Sequence, residues 1–159
     1  MSFKKLPASG LVLLSIILLL LDVRAGGESL STQPEAFQLK APEIDHITAE
    51  ELKSKLARNE PVAIIDVRAS DSYIGSDNRI KGAVYVKLRR LKYRLGFPPL
   101  KNVPRDREVV TYCACPNDES ALSAAQILLS AGFKRVRALK GGWHQWLKVN
   151  GQVEPRPKG

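Results

Sequence analysis

Cysteine is scarce in this chain of 159 residues: there are two, Cys113 and Cys115. Two cysteines are too few for a disulfide-stapled scaffold. A structural zinc site needs more ligands than they supply. Two thiolates suit Cu(I), but no histidine or methionine lies near them in sequence to complete such a site. Aromatic residues make up 6% of the chain, which argues against stacking-based binding of single-stranded nucleic acid. No segment is of low complexity. The most apolar stretch, Leu11–Leu21 (LVLLSIILLLL), has 11 residues, short of the roughly 20 that span a bilayer core as a helix.

That stretch has its own explanation. Lys4 and Lys5 precede it, and Val23 and Ala25 follow at the −3 and −1 places of a small-residue cleavage site. This is the layout of a secretory signal peptide over residues 1–25, cleaved after Ala25. No cysteine follows the apolar run, so a lipoprotein anchor is not supported. The mature chain is expected in an oxidising compartment, a bacterial periplasm or the extracellular space. Removing Lys4, Lys5, Arg24 and Asp22 with the leader takes the formal net charge from +9 to +7. That balance attracts small oxyanions, acidic proteins or anionic lipid surfaces; nucleic acid is not an expected partner of an exported chain. Residues 26–43, rich in Gly, Ser, Gln and Pro, read as a linker. The remainder suits one domain over 44–155, with 156–159 as a tail.

Along the domain, Thr48 and Glu51 fit a capping box, with Ile47 and Leu52 placed to close a hydrophobic staple around it. A helix is predicted from there to about Arg58. Val62–Val67 (VAIIDV) reads as a strand buried on both faces. Ala83–Val86 and Glu108–Cys113 are further strands, and Leu88, Leu91 and Leu95 mark a helical stretch between them. Glu119–Ala131 is the clearest helix, with Gly132 placed to end it. Arg135–Leu139 is a last strand and Trp143–Val149 a last helix. Strands alternating with helices imply a mostly parallel sheet covered on both faces, and in such sheets chemistry gathers at the carboxyl ends of the strands.

Cys113 stands at one such end, in Thr111–Ala121 (TYCACPNDESA), with a helix beginning just beyond it. A loop running from a strand into a helix N-terminus can turn backbone N–H groups inward as an anion cradle. The expected cradle is Ala114, Cys115, Pro116, Asn117, Asp118, Glu119 and Ser120. Thiols at helix N-termini have pKa values lowered to roughly 3.5–7.5. A thiolate there suits attack on the outer sulfur of thiosulfate, kept as a persulfide, or on the phosphorus of a phosphate ester, each with a covalent intermediate.

From about Ile44 to Pro155 the chain resembles a single rhodanese domain. Ile65-Asp66-Val67-Arg68 matches the family's Asp-Val-Arg signature, and Ile80-Lys81-Gly82-Ala83 its Ile-x-Gly-Ala turn. Val110-Thr111-Tyr112-Cys113 matches the strand that delivers the catalytic cysteine, and Gly141-Gly142-Trp143-His144-Gln145-Trp146 the terminal Gly-Gly-x-x-x-Trp motif. The resemblance implies an α/β/α sandwich around a five-stranded, mostly parallel sheet, with Cys113 as the persulfide-forming residue. The loop departs from the family's Cys-x-x-Gly-x-Arg-Ser. It is one residue longer before Ser120, lacks the glycine, and has Glu119 where an arginine would stand. The longer loop has the length seen in related cell-cycle phosphatases and arsenate reductases. Those need an arginine as the bidentate donor to a tetrahedral oxyanion, so its absence argues against phosphate chemistry.

Asp118 and Glu119 are expected to point outward as ordinary first-turn companions of a helix dipole. If they face in, they favour a donor less charged than thiosulfate, such as a persulfide. Cys115 reads as a small loop residue or as an auxiliary thiol that takes sulfur from Cys113 or closes an easily reduced disulfide with it. Asp66 and Arg68 are supporting residues of the active face or a pair that fixes a turn. His46, in the approach to the first helix, and His144 are not placed beside Cys113 by sequence. Trp143 and Trp146 are expected to pack. The basic stretch Lys87–Arg107 is a solvated face or a dock for an acidic protein or an anionic membrane. The reading is an exported sulfurtransferase moving sulfane sulfur through Cys113, with no cofactor or metal implied. The alternatives are a non-catalytic docking module and thiol–disulfide exchange through Cys113 and Cys115.

Overall fold

The computed structural model describes residues 43–157. The expected leader and all but the last residue of the expected linker lie outside them. In chain order the elements are β1 (Asp45–Ile47), α1 (Ala49–Ala57), β2 (Val62–Asp66), α2 (Ser70–Ile74), β3 (Asn78–Ile80), β4 (Val84–Tyr85), α3 (Leu91–Arg94), β5 (Glu108–Tyr112), α4 (Glu119–Ser130), β6 (Arg135–Leu139), α5 (Gly142–Lys148) and β7 (Val153–Pro155), with 3-10 turns at Leu88–Arg90 and Leu100–Asn102.

Five strands form one sheet in the order β1-β6-β5-β2-β4. Every pairing in it is parallel, so the sheet is wholly rather than mostly so. Side chains alternate across a pleated strand, and the sequence exploits this on both faces. Ile65, Val109 and Ala138 pack with Ala121, Ala124, Ala125 and Leu128 of α4. Their neighbours Ile64, Val110 and Leu139 pack on the other face with Leu52 of α1 and Trp143 and Trp146 of α5. The result is a three-layer sandwich. Its middle strand, β5, has no exposed residue.

Local signals act as their chemistry requires. Thr48 Oγ1 accepts the Glu51 N–H at 3.1 Å, capping α1. Glu51 does not complete the box: its carboxylate takes the Arg137 guanidinium at 2.7 Å instead. Ile47 and Leu52 lie buried in one cluster, as a staple requires. Gly132, with φ +89°, follows α4 in the left-handed conformation that ends helices.

Other elements depart from expectation. The approach to α1 that holds His46 is itself a strand, β1, and His46 is exposed on it. Lys87–Leu95 is not one helix but a 3-10 turn followed by the single turn α3. Two features carry too few residues to show a period: helix α2, and the antiparallel ribbon of β3 with β7. Arg156, just past that ribbon, donates to the carbonyls of Ser76 and Ile74 at 3.0 and 3.2 Å, so the first residue of the expected tail is held by the fold.

Candidate active site

Strand β5 carries the chain through the centre of the sheet and releases it at Cys113, whose residue is 1% exposed. Thr111 Oγ1 donates to the Ala121 carbonyl at 2.8 Å, tying the first turn of α4 back to the strand. The intervening loop is short and folds on itself. Asp118 takes a left-handed backbone, φ 55°, at the start of α4. It does not point outward. It is 6% exposed, and its Oδ2 accepts the Gly141 N–H at 2.8 Å. Oδ1 is buried with no partner among the described residues. Glu119, by contrast, is exposed in the first turn, where a carboxylate complements the helix dipole.

The Gly141-Gly142-Trp143 segment forms the floor. Gly142, with φ +46°, passes directly under the Cys113 carbonyl, where any Cβ would overlap that oxygen. The Trp143 N–H donates to the same carbonyl at 2.8 Å. Two N–H groups of this one segment thus grip the cysteine loop from below, that of Gly141 through Asp118 and that of Trp143 through the Cys113 carbonyl.

The two sulfurs are joined as a disulfide, with Cα atoms 5.7 Å apart. The loop amides turn onto these sulfurs. The Cys115 N–H lies 3.4 Å from Cys113 Sγ, and the Ser120 N–H, in the first turn of α4, lies 3.5 Å from Cys115 Sγ. The Asp118 N–H goes to the Cys115 carbonyl at 3.4 Å. The amides of Ala114, Asn117 and Glu119 donate to no described residue. Pro116 has no N–H and cannot take part in a cradle of amides.

Asp66 and Arg68 stand behind the floor. Both side chains are fully buried, and Arg68 Nη2 donates to Asp66 Oδ2 at 2.8 Å. Arg68 Nη2 also reaches the Asn78 carbonyl at 3.1 Å. The Tyr112 hydroxyl donates to Asp66 Oδ2 at 2.6 Å. Burial, then the adjacent Asp66 carboxylate, push the Tyr112 phenol well above its ordinary value. The guanidinium lies 4.4 Å from the Trp143 ring centroid and 5.2 Å from that of Tyr73. Arg68 therefore backs the tryptophan whose N–H holds the Cys113 carbonyl, without a bond to either sulfur. Trp143 and Trp146 both pack, at 6% and 0% exposed.

The loop borders two clefts. One, about 350 Å³, is lined by Val67, Arg68, Ala69, Ser70, Lys87, Leu88, Arg89 and Ser120. Of its basic side chains, Lys87 and Arg89 come from the β4–α3 connection and Arg68 from just past β2; none comes from the cysteine loop. The other, about 420 Å³, lies among Thr48, Glu50, Pro116, Asp118, Lys140, Gly141 and Gln145. His46 and His144 are exposed and neither bonds to a sulfur. Among the described residues no group of three or more His, Cys, Asp or Glu is placed to hold a metal. In sequence Lys87 and Arg89 are part of the basic stretch Lys87–Arg107; their place beside Ser120 follows from the sheet order, which brings β4 and β5 to either side of β2. The bond from Asp118 to Gly141 spans 23 residues and has no local signal.

Residues 48–149 match the rhodanese-like domain family, and the chain belongs to that family. It is 31% identical over 104 residues to a thiosulfate sulfurtransferase, GlpE, of Coxiella burnetii, an alignment covering 65% of this chain and 85% of the relative. A sulfurtransferase of Allochromatium vinosum is 27% identical over 105 residues, covering 66% of this chain and 90% of the relative. The solution structure of the rhodanese-like domain of the Anabaena protein Alr3790 superposes with a TM-score of 0.58 at 30% identity, covering 74% of this chain and 87% of that one.

Proposed function

We propose that this protein is a rhodanese-type sulfurtransferase that carries sulfane sulfur as a persulfide on Cys113. The supporting observation is the position of Cys113: at the carboxyl end of the central parallel strand, with the first turn of a 12-residue helix closing over the loop that follows it. In the reduced protein the Cys113 thiolate attacks the outer sulfur of the donor. For thiosulfate, the donor's S–S bond breaks and sulfite leaves with the electron pair. The persulfide then passes its outer sulfur to a nucleophilic acceptor.

The positive charge that the loop itself lacks comes from its neighbours. Lys87 and Arg89 line the cleft that Ser120 borders, and they suit the sulfonate end of thiosulfate. Asp118 is turned away onto Gly141, so it presents less charge to an anionic donor than its sequence position suggests. Replacing Arg89 by Ala should raise the KM for thiosulfate about three- to tenfold with a smaller change in kcat.

The leader reading places this chemistry outside the cytoplasm. N-terminal sequencing of the exported protein is expected to begin at Gly26; a chain still carrying Met1 would contradict export by cleavage. The bonded pair Cys113–Cys115 favours a second reading, thiol–disulfide exchange without sulfane sulfur. The experiment that separates the two is sulfite release. The reduced protein should liberate sulfite from thiosulfate, and Cys113→Ser should not. An exchanger would oxidise dithiols or reduce disulfides while releasing no sulfite.

A further inference from the structure

Cys115 is the feature that plain sulfur transfer leaves without a role. Its sulfur lies 3.5 Å from the Ser120 N–H at the start of α4, so it, and not Cys113, receives the amide from the first turn of a 12-residue helix. The helix dipole adds positive potential at that sulfur. Cys115 is also the more accessible of the two, partly exposed where Cys113 is 1% exposed. The loop already brings the two sulfurs within bonding reach, held by a backbone gripped through Asp118 and the Cys113 carbonyl.

We infer that Cys115 is a second catalytic thiol, which resolves the Cys113 persulfide and discharges its outer sulfur as hydrosulfide. This rests on the persulfide reading above and gives the outer sulfur an exit, as hydrosulfide, that needs no external sulfur acceptor. The Cys115 thiolate attacks Cys113 Sγ. A bond forms between the two cysteine sulfurs as the bond from Cys113 Sγ to the outer sulfur breaks, and the outer sulfur leaves with the electron pair as HS⁻. Cys115 is oxidised, the departing sulfur is reduced, and the Cys113–Cys115 disulfide seen here is the product. One turnover therefore consumes both thiols. Renewal requires a dithiol reductant, which attacks the more exposed Cys115 sulfur, frees Cys113 as thiolate and leaves as its own disulfide. In reaction order, a dithiol–disulfide exchange must follow each sulfur discharge.

The test uses the full mature chain, reduced and then freed of reductant, with thiosulfate as the probe. Sulfite, hydrosulfide, intact mass and the number of alkylatable thiols are followed together. The wild type should release one equivalent of hydrosulfide per equivalent of sulfite, lose both thiols and stop until a dithiol is added. Cys115→Ser, and independently Cys115→Ala, should keep the added sulfur on Cys113 and lose hydrosulfide release. If the wild type holds its persulfide without discharging it, or if both Cys115 variants discharge hydrosulfide as the wild type does, the resolving role is overturned while sulfur transfer stands. If neither the wild type nor the variants gain sulfur or release sulfite, with thiosulfate or with a small alkyl persulfide, the underlying transfer reading fails and this inference fails with it.

Discussion

Gly142 shows how tightly single residues define this site. Its φ of +46° and its place under the Cys113 carbonyl leave no room for a Cβ. Gly142→Ala should destabilise the fold by more than about 2 kcal/mol and displace the cysteine loop, seen as a lower urea midpoint together with slower sulfite release. Asp118 holds the same floor through the Gly141 N–H. Asp118→Ala strands that donor and should cost about 1–3 kcal/mol. Asp118→Asn keeps an acceptor and tolerates the left-handed backbone, so it should cost much less. Equal losses from the two substitutions would refute the hydrogen-bond explanation. Behind them, Arg68→Met leaves Asp66 buried without its cation, and breaking such a pair typically costs about 3–5 kcal/mol. Little of this network was legible in sequence. The Cys113 position was, because a strand end followed by a helix start is a local pattern. The inward turn of Asp118 was not, because its partner arrives from a segment 23 residues away.

At the scale of elements, α4 and β5 were readable for opposite reasons. β5 is an unbroken run of residues buried on both faces, and α4 is a long apolar segment with a glycine stop. Strand β1 has three residues, too few for any period to emerge, and is specified by pairing with β6 rather than by its own composition, whereas the two-residue β4 falls within the strand expected over Ala83–Val86. The 3-10 turn before α3 has the same cause: Leu91 and Leu95 are buried at helical spacing, while Leu88 meets the core from a tighter turn. The cap on α1 supplies a prediction at this scale. Thr48→Ala removes the acceptor for the Glu51 N–H and should lower stability by about 1 kcal/mol without altering sulfite release, since α1 bonds to neither sulfur. A drop in sulfite release alone would tie α1 to the chemistry.

For the whole molecule, the two ends of the sheet do different work. The carboxyl ends hold the cysteine loop. At the opposite end Glu108, 5% exposed, opens β5 among Lys55, Arg135 and Arg137. Burial pushes its carboxyl up, but the bonds from Arg137 and Lys55 outweigh that and hold it below the usual carboxylate range. A group whose folded value lies below its unfolded one stabilises the fold above the ordinary carboxylate range, and that contribution is lost as pH falls through the folded value. Glu108→Gln should therefore lower Tm at neutral pH and flatten its fall in acid; an unchanged acid limb would remove Glu108 from the account. The excess of positive charge, with Lys87 and Arg89 beside the loop, should make thiosulfate turnover fall as ionic strength rises. The central claim is the sulfur on Cys113. Its most direct measurement is fragment mass spectrometry of the full chain, first reduced and freed of reductant, then treated with thiosulfate and only afterwards alkylated, run beside Cys113→Ser and with Cys115→Ser to prevent discharge. The expected result is one added sulfur on the peptide containing Cys113 in the Cys115→Ser protein and none in Cys113→Ser. Added sulfur elsewhere, or none on Cys113 while sulfite is still released, would contradict it.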